Sequence, residues 1–356
     1  RYSDWAYTSS VVILVVALLL LAVELAYSRS RAVAARELVA SGSGWATVSA
    51  DSDRPGVVAD EPARTLDERV GRAGLALVHL GIAALFACIV LRGLATERVP
   101  WGNMYEFINL TCLSGLVAAA VVLRKPQYRA LWVFVLVPVL ILLTISGRWL
   151  YTNAAPVMPA LQSYWLPIHV SVVSLGSGVF LVAGVASILF LLKMSPLGAP
   201  DRVGTVARIV QRLPDAQTLD RIAYRTTIFA FPVFGFGVIF GAIWAEEAWG
   251  RYWGWDPKEN GAVMIVLWNA IILHARWGGL VRQRGLMGLA IFGNIITSWS
   301  WFGTNMLGVG LHSYGFGIGG EEYVIGFLVV ERLFLGFAAM RHLAAQPRLL
   351  PMHAGE

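Results

Sequence analysis

Four aromatic residues crowd into one short stretch, Trp249, Tyr252, Trp253 and Trp255, with Asp256, Lys258 and Glu259 directly behind them. Gly250 and Gly254 stand between the rings and imply a compact turn that sets flat side chains side by side. Flat rings offer area and favourable stacking, and neighbouring charges fix polar substituents, so the stretch suits a large, planar, apolar ligand. The bland alternative is an interfacial belt, in which Trp and Tyr sit at headgroup level. A belt, though, spreads its rings over several helix ends and needs no glycines between them. Histidine is the other chemistry-bearing type here, as a neutral imidazole able to ligate a metal. His169 and His312 flank the aromatic stretch in sequence, while His79 and His274 fall within strongly apolar runs.

The elements that position these residues must lie in lipid. Hydrophobic residues make up 57% of the 356 positions and charged ones 14%, against roughly 25% charged in a soluble domain. Spanning a bilayer takes about 20 predominantly apolar residues. That window gives nine transmembrane helices, near 7–27, 73–95, 104–123, 130–147, 167–193, 225–245, 260–277, 286–303 and 322–340. The fold class expected is an all-α polytopic membrane protein. The first apolar run carries Asp4 before it and Arg29, Arg31 and Arg36 after it, the reverse of a secretory leader, so it reads as a retained helix.

Lys and Arg collect in alternate loops: 28–72, 124–129, 194–224 and 276–285. The positive-inside rule puts those loops in the cytoplasm, with the N-terminus outside and the C-terminus inside. The chain then divides into an N-terminal helix (1–30), a cytoplasmic linker (31–72), a helical bundle (73–345) and a short tail (346–356). The segment 201–222 is amphipathic and suits either the inner membrane surface or an ordinary charged connector. The formal charge of +6 is parcelled among these loops and is no nucleic-acid signature. Cys88 and Cys112 sit in apolar segments with no C-x-x-C between them and read as packing residues.

Topology sorts the histidines. His169, His312 and the aromatic stretch share the outer side. Two imidazoles on opposite faces of a porphyrin fill both axial positions of its iron; a lone interfacial histidine is more often solvated or a cap. His79 lies ~24 Å and His274 ~21 Å below the outer surface at the α-helical rise, similar depths toward the basic side. Ionisable groups inside a membrane are functional candidates by default, although two neutral histidines hydrogen-bonded across helices would account for them too. His342 and His353 belong to the polar C-terminal end.

The stretch WGRYWGWDPKE at 249–259 closely resembles WGxWWxWDxKE, the WWD signature of the heme-handling protein superfamily. Within that superfamily the chain looks like the CcsA/ResC branch of cytochrome c biogenesis system II, called CcsB in some actinobacteria. Tyr252 replaces the usual Trp and keeps an aromatic ring. PWGNMYEF at 100–107 resembles the family's outer loop with its Tyr-Glu pair, here Tyr105 and Glu106. QSYWLPIHVS and GLHSYG place His169 and His312 where the family has its external histidines, and His274 matches its transmembrane histidine. The shorter and the much longer system I relatives fit less well.

The resemblance implies a heme transport and presentation subunit of a cytochrome c heme lyase complex in a bacterial plasma membrane. The cargo is heme b (iron protoporphyrin IX). An inner site at His79 and His274 would pass it to an outer site made by His169, His312, Trp249, Tyr252, Trp253, Trp255 and Asp256. There it would meet the Cys-x-x-Cys-His of an apocytochrome c. A ResB-type membrane subunit is the implied partner, with thiol reductant proteins acting indirectly. Arg148, Arg251 and Lys258 are all candidates for pairing with the heme propionates. Two other classes compete: an electron-transfer membrane cytochrome acting on quinone, which leaves the exposed aromatic shelf without a purpose, and a secondary transporter, for which broken helices or paired repeats are expected.

Overall fold

A computed structural model describes residues 1–40, 65–156 and 161–279, with scattered positions between 289 and 336. The described chain is all-helical: α1 (Tyr2–Ala40), α2 (Leu66–Thr96), α3 (Met104–Val122), a short 3-10 turn (Pro126–Leu131), α4 (Trp132–Trp149), α5 (Trp165–Met194), α6 (Thr205–Arg212), α7 (Ala216–Trp249) and α8 (Pro257–Trp277). Among the described residues six segments are long and apolar enough to cross a membrane: 2–27, α2, α3, 126–149, α5 and α7. The protein is thus a polytopic helical membrane protein. The seventh expected span, 260–277, falls on α8, a helix that is not one of these six and whose ends carry Lys258 and Glu259 at one side and His274 and Arg276 at the other. The last two, 286–303 and 322–340, lie largely outside the described residues.

Helix boundaries depart from the hydropathy windows for physical reasons. α1 continues to Ala40 and α2 begins at Leu66, so helix occupies both ends of the stretch read as a linker. The Arg, Ala, Glu and Leu there are good helix formers whether or not lipid surrounds them. The 201–222 segment is two pieces, because Pro214 holds Leu213 extended (φ −60°, ψ 152°) and ends α6. Asp215 then caps α7, accepting from the Thr218 N–H at 2.6 Å. Lys193 secures the break, donating to the carbonyls of Val210, Gln211 and Leu213 at the end of α6.

α5 packs most extensively against α7, and α1 against α2, with α3 bridging α5 and α4. The main core lies among α1 to α5 and includes Leu14, Leu85, Ile108, Leu116, Trp132 and Leu136. Small residues bring α3 and α5 together: a Cβ on Gly178 would fall 2.5 Å from the Gly115 nitrogen. Cys88 and Cys112 are both buried and free, as the packing role requires. A second, smaller cluster of Leu161, Leu166, Val170 and Trp244 gathers where α5 and α7 meet the loops ahead of α3 and α5. That cluster floors the site.

Candidate functional site

The site is assembled by α7 ending, turning and restarting as α8. Gly250 terminates α7 in the left-handed region (φ 68°), its N–H returning to Glu246 O. Asp256 starts α8 in a capping box with Glu259, and Pro257 follows at the first helical position. Glu259 reaches back so that one carboxylate oxygen accepts from the N–H groups of Gly254 (2.8 Å) and Asp256 (3.0 Å). Asn260 donates to Trp255 O at 3.1 Å. These bonds hold Trp255 at φ 58°, a conformation a bulky residue adopts only when its surroundings impose it. Gly254 leaves room for Arg251, whose guanidinium lies 0.7 Å from where a Cβ would be and would have to swing aside for any side chain there.

This turn distributes the four rings rather than laying them in one plane. Trp249 packs inward onto Trp244, centroids 4.7 Å apart at 61°. Tyr252 and Trp253 line a cavity. Trp255 stands 71% exposed beyond it, edge-on to Trp253 at 6.1 Å and 85°. Asp256 faces away from the cavity: besides capping α8, its Oδ2 accepts from the Leu311 N–H at 2.7 Å. The carboxylate therefore ties the aromatic turn to the residue preceding His312. His312 itself lies outside the described residues.

His169 projects from α5 into the same cavity and is held on three sides. Its Nδ1 lies 2.7 Å from Gly237 O, and its ring stacks on Trp244 at 5.9 Å and 10°. Gly241 makes room for it, since a Cβ there would come within 2.6 Å of Cε1. A carbonyl can only accept, so Nδ1 carries the proton and Nε2 carries the lone pair. That is the tautomer a metal ligand needs, with its orientation fixed by the other nitrogen.

The cavity is partly open, with about 1130 Å³ of empty space when the part open to its surroundings is counted. α3 and the loop before it contribute Trp101, Met104 and Phe107; α5 gives His169, Val170 and Val173; α7 gives Phe234, Val238 and Trp244; α8 gives Lys258, Glu259, Ala262 and Ile265. The wall is apolar apart from a few convergent groups. Lys258, in the first turn of α8 ahead of its apolar stretch, donates to Ser300 O at 2.8 Å. Burial pushes its ammonium down to about 7 against the pull of the Asp256 carboxylate. The loop over the cavity is anchored by Glu106, which is buried and accepts from Arg92 Nε (2.7 Å), Arg98 Nη1 (3.0 Å) and the Gly102 N–H (2.7 Å). The same arginines donate to Thr152 O and Ala155 O, locking the loop before α3 to the loop after α4.

His79 and His274 lie elsewhere. Both are exposed at the protein surface, and in each Nδ1 lies 2.8 Å from the carbonyl four residues earlier, Leu75 O and Ala270 O. In each, Nδ1 donates to that carbonyl, which turns Nε2 away from its own helix. α2 packs on α1 and α3, and α8 on α7; among the described residues α2 and α8 share no extensive interface. Two of the positions that seat His169, Gly237 and Gly241, carry no chemistry-bearing side chain that would single them out in the sequence. The only signal for the pair is a small-xxx-small spacing within an apolar helix.

Fold and cavity together define a multi-pass membrane protein with an apolar cavity at one end of its bundle. Residues 101–312, from Trp101 in the cavity wall to His312, match the family described as Cytochrome C assembly protein. The cytochrome c biogenesis protein CcsA of Microcystis aeruginosa is 34% identical over 294 residues, covering 69% of this chain and 87% of that protein. CcsA of Gloeothece citriformis is 34% identical over 298 residues (70% and 88%), and CcsA of Guillardia theta 33% over 258 (65% and 84%). The chain belongs to this cytochrome c assembly family, as a CcsA-type protein. Its role is in cytochrome c biogenesis, as a multi-pass protein of the plasma membrane when in a bacterium.

Proposed function

We propose that the cavity holds heme b as cargo and presents it for covalent attachment to an apocytochrome c. The observation that carries this reading is His169: an imidazole fixed by Gly237 and Trp244 stands in the wall of an apolar cavity that Tyr252 and Trp253 of the aromatic turn also line. His312 supplies the second axial ligand, and the Asp256–Leu311 bond keeps its neighbour beside the aromatic turn. Trp253 and Tyr252 stack against the macrocycle while Trp249 and Trp244 back them. Trp255, exposed outside the chamber, meets the incoming apocytochrome. In attachment, each thiol of the Cys-x-x-Cys-His adds across a vinyl group, sulfur to one carbon and hydrogen to the other. The client histidine takes one axial position from the enzyme. The residues here supply orientation and exclusion of water; the porphyrin supplies the reactive groups.

The same reading gives the bundle nine spans, N-terminus outside and C-terminus cytoplasmic, and a ResB-type subunit as partner. His79 and His274 form an inner way-station; their matching Nδ1 hydrogen bonds and similar positions along their helices support it. The decisive experiment replaces His169 or His312 with Gly in the full chain, co-produced with its partner. Cytochrome c maturation should be lost and partly restored by added imidazole, which fills the vacated axial position. Normal maturation in both variants refutes external bis-histidine ligation.

A further inference from the structure

We infer that Lys258 is the residue that recognises a propionate of the bound heme, and so fixes which way round the macrocycle lies in the chamber. The inference rests on the heme reading above and adds to it a polar end. Three basic residues compete for this role from sequence. Arg148 is exposed at the end of α4 and Arg251 lies over Gly254, and neither lines the chamber. Lys258 alone of the three lines the chamber. Its ammonium has three donors, of which one reaches Ser300 O at 2.8 Å.

The acid beside it does not compete for the ligand's place. Glu259 shares the chamber wall, but its Oε2 is committed to the N–H groups of Gly254 and Asp256, and Asp256 to Lys258 N and Leu311 N. A half-buried ammonium in an otherwise apolar wall costs free energy unless an anion meets it. A ligand with one apolar face and carboxylates along one edge fits both needs: macrocycle on Trp253 and His169, carboxylate on Lys258. The vinyl edge, opposite the propionates, then turns away from α8. Lys258 also follows Asp256 by only two residues, so the capping box that sets the aromatic turn sets the ammonium with it.

The test compares hemin with hemin dimethyl ester, identical except that both carboxylates are masked. Full-length protein with its partner, freed of heme, is titrated with each ligand and read by Soret absorption. Wild type should bind hemin about tenfold or more tightly than the ester, the scale of one charge-assisted hydrogen bond. Lys258→Met should bring hemin down to the ester's affinity with an unchanged Soret position, since axial ligation is untouched. Lys258→Arg should keep the preference. Equal affinities in wild type, or a preference that survives in Lys258→Met, overturns the assignment while leaving the heme reading intact. So does equal loss of both ligands in Lys258→Met and Lys258→Arg. Failure of wild type to bind either ligand instead overturns the heme reading itself.

Discussion

The sharpest perturbation of the site adds one methyl group to α7. In Gly241→Ala the new carbon would sit 2.6 Å from Cε1 and 2.7 Å from Nδ1 of His169, closer than real carbon contacts allow. The imidazole must swing off the Gly237 carbonyl and off Trp244. Losing the hydrogen bond costs about 1 kcal/mol and the ring contact about 0.5–1.5 kcal/mol, so outer-site heme affinity should fall about 10- to 60-fold at 1.4 kcal/mol per decade. The same losses bear on the fold, where they are offset in part because Ala gains about 1 kcal/mol over Gly in a helix interior. Gly235 supplies the control: it lies on the same helix with nothing within 4 Å of where its Cβ would be. Gly235→Ala should therefore keep full heme and equal or better thermal stability. Heme per protein and hemin titration of the two variants, purified alike, decide the matter. Equal heme affinity in both would mean that the pose of His169 against α7 is irrelevant to binding.

Three further outcomes are expected. Trp253→Ala should lower heme retention while Trp277→Ala, at a ring 85% exposed on the far end of α8, leaves it unchanged; Trp132 would be a poor reference, since it is 1% exposed and its truncation costs the fold about 3–5 kcal/mol. Asp256→Ala should cost about 1 kcal/mol of stability as a lost cap, seen as a lower melting temperature, and also reduce outer-site heme by releasing Leu311; retained heme would show the tether to be dispensable. If His79 and His274 feed the outer site, replacing either should lower heme at both sites, whereas His169→Gly should leave the inner site filled; a His79 variant with a full outer site and normal maturation would make the inner pair structural.

What the sequence shows and what it hides follows from how far each interaction reaches along the chain. The aromatic turn is legible because its rings, glycines and cap lie within eleven residues, and Asp256-Pro257-Lys258-Glu259 carries the helix-start pattern outright. Even so, membership of an aromatic motif suggested ligand contact for Asp256, where the geometry gives it the work of a cap and a tether. The cradle of His169 is illegible for the opposite reason: imidazole and glycines come from α5 and α7 and meet only when those helices pack. Hydropathy located the spans but clipped α1 and α7, since a helix ends where its backbone is capped or broken, not where lipid ends.

The inner histidines mark the limit most clearly. A rise per residue converts position into depth, and depth alone suggested the pair. Depth is one coordinate of three. The other two are set by which helices find small residues to pack on, and α2 packs on α1 and α3 while α8 packs on α7. Both imidazoles then direct Nε2 from exposed helix faces, so a heme held by either must lie against the outside of the described bundle.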